Sequence, residues 1–145
     1  MIDHVWSVLC ARAIIDKQTN SISIHDVIEQ ITIKGEPASN GLLPMQFDLV
    51  SFWIRSNPKE PTIGEMRMSF ISPSGDKKMG LEGPIKLTDH ERIRNIIRIE
   101  NLPIHEPGRH YFTLEQKVDN DDWKQVAAIP LSVVFEPLEE KIGEK

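Results

Sequence analysis

Hydrophobic and polar positions along this chain recur mostly at a period of two, in short runs cut by turn residues. That is the signature of strands with one covered face and one wet face. Met66-Arg67-Met68-Ser69-Phe70 alternates strictly, so a strand there turns Met66, Met68 and Phe70 inward and wets Arg67 and Ser69. The run from His110 to Val118 repeats the device, with Phe112, Leu114 and Val118 inward and Thr113, Glu115 and Lys117 outward. Asp119-Asn120-Asp121-Asp122 is turn chemistry. From Trp123 to Phe135 the side chains of Ala127, Ile129, Leu131, Val133 and Phe135 share one face, so residues 108–136 predict a well-ordered hairpin.

Upstream, Val5 to Ile15 is apolar on both faces, with Val5, Leu9, Ala11 and Ile15 on one and Trp6, Val8, Cys10 and Ile14 on the other. This fits a short helix or a central strand covered on both sides. The strand is preferred, because Asp16-Lys17-Gln18-Thr19-Asn20 is a turn cluster and Ser21-Ile22-Ser23-Ile24 resumes the alternation as a second hairpin. His25 to Ile31 reads as a bulge or a single turn between strand segments. Residues 34–44 form a Gly/Pro/Ser/Asn loop. Met45 to Ser56 follows as a strand whose apolar phase slips near Val50, a mark of a bulge or of cover on both faces. The turns Asn57 to Pro61 and Ser72 to Asp76 bracket the Met66 strand. Lys77 to Leu87, carrying Gly80, Gly83 and Pro84, is the predicted sheet edge. Ile93, Ile97 and Ile99 then oppose Arg94, Arg98 and Glu100 across one further strand.

Composition narrows the class. The chain has 145 residues, the size of one ordinary domain, and 39% of them are hydrophobic, which becomes about 45% with glycine counted, the globular range. The formal net charge is −5, so no basic field draws the chain to phosphate backbones or anionic membranes. No apolar run approaches the roughly 20 residues of a membrane-spanning helix, and Met-Ile-Asp-His is no secretory leader; a cytoplasmic protein is expected. A single cysteine, Cys10, forms neither an internal disulfide nor a cysteine zinc cage.

Together these features predict an all-β fold: a two-sheet antiparallel sandwich, immunoglobulin-like in outline, of about eight strands over residues 1–136, with a charged C-terminal tail at 137–145 that frays. Pro107-Gly108-Arg109-His110-Tyr111 has the pattern of a tyrosine corner, although Thr113 stands where an antibody-type domain has cysteine. Trp53 is a candidate for the core tryptophan of strand C, with an outward position equally compatible with its phase.

Four segments carry a resemblance: Leu9-Cys10-Ala11-Arg12-Ala13, the run Ser21 to Ile31, Phe70-Ile71-Ser72-Pro73-Ser74-Gly75-Asp76, and Gly108-Arg109-His110-Tyr111-Phe112. In these the chain resembles a bacterial family of small β-sandwich domains of unknown function. That family opens on a cysteine-containing strand and later carries a "vDPdG" turn. His25 stands where its second motif has glycine. The resemblance implies a sandwich fold and transfers no catalytic residue.

Candidate chemistry is sparse. His105 and His110 flank a Pro-Gly turn and, with Glu106, are candidates for a metal site. Asp119, Asp121 and Asp122 are the alternative, as oxygen ligands for calcium. Exposed loop histidines and a polar hairpin tip account for the same residues without any ion, and Cys10, inside an apolar strand, reads as a small buried hydrophobe. No nucleophile elbow, phosphate loop or dinucleotide fingerprint is present, so no catalytic residue and no cofactor are expected. The Arg94/Arg98 face is suited to an acidic partner segment. The expected function is a non-enzymatic module binding protein, not nucleic acid or membrane, through loops 34–44 and 57–62. The alternative is a metal-dependent enzyme or ligand-binding domain built on His105, His110 and nearby carboxylates.

Overall fold

The structure is a computed structural model and describes residues 1–36, 41–119 and 121–138. Among these residues there is no helix, and nine strands run in chain order: β1 (Ile2–Ile15), β2 (Ile22–Val27), β3 (Gln30–Lys34), β4 (Leu42–Arg55), β5 (Thr62–Ile71), β6 (Lys77–Leu87), β7 (Arg92–Pro103), β8 (Gly108–Val118) and β9 (Lys124–Glu136). They form two sheets, one ordered β2-β1-β4-β7 and the other β3-β9-β8-β5-β6. The all-β sandwich expected from the alternation is what the chain adopts. The β4–β7 pair and the β5–β8–β9 group, with β6 beside β5, follow the B–E and C–F–G pairings of an immunoglobulin outline. Here β1 and β2 extend the first sheet.

Two features depart from a purely antiparallel sandwich of about eight strands. β3 pairs with β9 in parallel, from Gln30↔Ser132 to Lys34↔Glu136. The segment read as a bulge or turn between strands is the point where the chain changes sheet. Ile28 N–H donates to the Leu9 carbonyl of the first sheet (2.9 Å), and at the next residue the chain is hydrogen-bonded into the second, with Ser132 N–H donating to the Glu29 carbonyl (3.0 Å). Parallel and antiparallel partners impose the same two-residue side-chain period, so the pairing sense left no trace in the pattern.

The core lies between the sheets. Leu9, Phe47, Leu49, Trp53, Ile99 and Leu102 face Met66, Met68, Phe70, Ile85, Phe112, Leu114 and Leu131 across it. Met66, Met68 and Phe70 are inward as expected, but Ser69 and Thr113, expected in water, are buried opposite one another in the second sheet. Trp53 is fully buried, yet it sits on β4, the B position and not C. The apparent phase slip at Val50 is no bulge: Phe47, Leu49 and Trp53 point into the core, while Asp48 and Val50 between them are buried on the other face of the same strand. β6 is an edge, as its glycines and proline require. The charged tail expected to fray falls, from residue 139 on, outside the described residues; Leu138 is 71% exposed.

Candidate interaction face

The sequence-predicted metal ligands are not brought together. His110 is fully buried in the core layer, its ring stacked on Phe70 at 5.1 Å, with Nδ1 3.1 Å from the Gly108 carbonyl oxygen and Nε2 without a partner among the described residues. Burial lowers its proton affinity, against smaller opposing effects of the Gly108 carbonyl and Glu106. His105 is exposed instead, and its ring lies over Gly41 so closely that a Cβ there would sit 2.0 Å from Cε1. Glu106 is engaged by the Ser72–Asp76 turn: Ser74 N–H donates to Oε1 at 2.9 Å, and these serine hydrogen bonds hold its carboxyl below the usual range. Asp119, Asp121 and Asp122 are exposed at the β8–β9 turn. Among the described residues no group of three or more His, Cys, Asp or Glu side chains is placed to hold a metal ion. Cys10 is a buried thiol whose pKa burial raises, with Asp48 adding to the effect.

The tyrosine corner is also absent. Tyr111 pairs with Ile71 and Pro130 on the outer face of the second sheet, and among the described residues its hydroxyl makes no hydrogen bond.

The two sheets differ in how the charged groups on their outer faces are paired. The second carries a polar network on its outer surface, beside the exposed apolar side chains of Ile63 and Val134. Arg67 clamps Glu115 through two nitrogens (Nε to Oε1 3.1 Å, Nη2 to Oε2 2.8 Å), Lys77 approaches the same carboxylate at 3.6 Å, and the Arg67 guanidinium lies 4.3 Å from the centre of the Trp123 ring. This network holds the Glu115 carboxyl below its ordinary range.

The first sheet has an apolar outer surface, and a shift in β1 helps to create it. One extra residue, Val5, enters β1 where the pairing passes from His4↔Trp53 to Trp6↔Phe52. His4 therefore faces the core, edge-on to Trp53 at 5.0 Å, whereas Trp6 turns outward against Phe52, ring centres 5.6 Å apart. Val8 sits opposite Val50 and Ile96 beyond it, so the outward phase continues across three strands. Cys10, Ala13 and Val50 form a second buried cluster on this side, shielded by Trp6, Val8, Ile22, Ile24 and Ile96. Among the described residues no third layer covers it. Ile15, opposite Ile22 at that margin, is 39% exposed.

Two arginines of β7, Arg94 and Arg98, bring charge to this face. Asp48 is buried between Arg98 (Nε to Oδ1 3.1 Å) and the backbone N–H of Ala13, which donates to Oδ2 at 2.9 Å. On the β7 margin Arg94 reaches across to the β1–β2 turn and donates to the Asn20 carbonyl and to Asn20 Oδ1. Beneath it is a hollow floored by Trp6 and Phe52, walled by Ile15 and Ile22, and rimmed by His90, Arg92 and Arg94. Among the described residues neither Arg92 nor Arg94 is paired with a carboxylate.

The signal for this face was in the sequence: Val5 to Ile15 is apolar on both sides, and so is the middle of β4. Two apolar faces predict two covering layers, and the described residues supply one.

No family model matches the chain, and no curated protein matches it. Among solved structures the chain is similar to a part of a family 123 glycoside hydrolase from Clostridium perfringens, at 9% identity and a TM-score of 0.47, over 95% of this chain. It spans 28% of the length of that structure.

Proposed function

We propose that this chain is a non-enzymatic, cytoplasmic protein-binding module whose binding surface is the outer face of the four-stranded sheet. One observation carries the reading: β1 and β4 are apolar on both faces, and among the described residues only the inner face is covered by a sheet. Contiguous exposed apolar surface bordered by polar residues marks interaction sites in soluble proteins. The loops 34–44 and 57–62, expected to make the contacts, carry no comparable apolar cluster among their described residues. The metal-enzyme alternative finds little support, since His105 is exposed over Gly41 while His110 is buried against Phe70. Membership of the bacterial sandwich family belongs to this proposal too, and supplies no residue roles.

The test is affinity capture from native cytoplasm with the full chain and with Trp6→Glu/Ile24→Glu, each checked for an unchanged thermal transition. A partner recovered by the natural sequence and lost from the folded variant is the expected result. A partner retained equally by both contradicts the reading.

A further inference from the structure

Resting on the reading of this face as a protein-binding surface, we infer that the Trp6/Phe52 hollow takes an acidic segment of a partner protein, anchored by one large apolar side chain. The floor fixes the anchor. Trp6 and Phe52 are half-buried aromatic rings, tilted at 54° to each other, with Ile15 and Ile22 completing an apolar wall. Desolvated pockets of this kind are where interface energy concentrates.

The rim fixes the charge. The chain as a whole is acidic, at −5, yet the margin of this hollow carries Arg92, Arg94 and the His90 imidazole. The contrast with the neighbouring arginine is informative. Arg98 neutralises the buried Asp48, and Arg67 on the opposite sheet is clamped to Glu115, so both have their carboxylates within the fold. Arg94 is held by oxygens of Asn20, which carry no charge, and this fixes the guanidinium at the margin of the hollow with no carboxylate paired to it among the described residues. An arginine so preorganised loses little side-chain freedom on meeting a carboxylate and matches it in geometry. Two-fold pairing of this face with a second copy would bring the same cations toward one another, so the charge pattern favours a different, acidic chain.

The experiment uses the full chain, labelled with 15N, and three synthetic peptides with the same central Leu-Trp anchor flanked by Glu, by Ser or by Lys. Expected is binding of the Glu peptide at least about ten-fold tighter than the Lys peptide, a gap of about 1.4 kcal/mol. Its resonance shifts centre on the Trp6 indole N–H and on Phe52 and Ile22, and the affinity falls as salt is raised. Arg92→Glu/Arg94→Glu reverses the preference, and Lys78→Glu, outside the face, leaves it unchanged. Equal binding of all three peptides with shifts at Trp6 overturns the acidic class and leaves the face standing as a docking surface. Absence of any shift at Trp6 overturns the inference altogether, as does light scattering that shows a dimer abolished by Arg94→Glu.

Discussion

At Tyr111 the ring rests between Ile71 and Pro130 on the outside of the five-stranded sheet, with no hydrogen bond from its hydroxyl among the described residues. Tyr111→Phe is therefore expected to change the unfolding free energy in urea by less than about 0.5 kcal/mol, as for surface substitutions that break nothing; a loss near 1 kcal/mol would restore the corner hydrogen bond. Asp48 is the opposite case. Asp48→Ala leaves the buried Ala13 N–H without its acceptor, and a cost of about 1–3 kcal/mol is expected in the same measurement. His110 sets a pH dependence. Burial lowers its pKa in the folded state, and burial lowers that of His4 as well. Their contribution to stability is full above the unfolded imidazole value of about 6.5, and is lost as pH falls below it because the unfolded chain takes up protons first. Glu106 and Glu115, whose pKa values are also lowered, lose their contributions only at more acidic pH, through the carboxylate range. The urea midpoint should drop between pH 7.5 and 5.5, and His110→Phe, which retains an aromatic ring beside Phe70, should flatten that slope. An unchanged slope would remove His110 from the account.

Among the elements, β8 is bonded on both sides, to β5 and β9, while β6 is bonded only to β5. Amide exchange should accordingly be slower across the central residues of β8 than across β6; faster exchange in β8 would contradict the assignment of centre and edge. The hairpins β1–β2 and β8–β9 and the edge position of β6 were all legible, because each rests on local alternation, turn residues or glycine and proline placement. What was not legible came from pairing at a distance. The parallel sense of β3 leaves no mark on its own residues, and the change of sheet at Ile28-Glu29 is written in backbone hydrogen bonds to Leu9 and Ser132. The outward turn of Trp6 depends on one extra residue relative to β4, a strand more than thirty residues away in sequence. The histidine pair failed for a related reason: a spacing of five across a Pro-Gly turn does not say that His110 begins an inward-facing strand phase while His105 remains in the loop.

As a whole molecule, the sandwich has two unlike exteriors. One carries the Arg67–Glu115–Lys77 network; the other carries the Cys10/Ala13/Val50 cluster and its half-exposed aromatic and aliphatic shield. The proposed docking surface is the β2-β1-β4-β7 side, and the three tryptophans report on that proposal independently. Trp6 stands on the apolar exterior, Trp123 lies beneath Arg67 on the polar one, and Trp53 is sealed in the core. Hydroxyl-radical footprinting of the full chain, free and engaged with the captured partner, reads all three in one measurement. The account predicts that Trp6 becomes protected, Trp123 keeps its reactivity and Trp53 stays unreactive in both states; protection of Trp123 with Trp6 unchanged would contradict it.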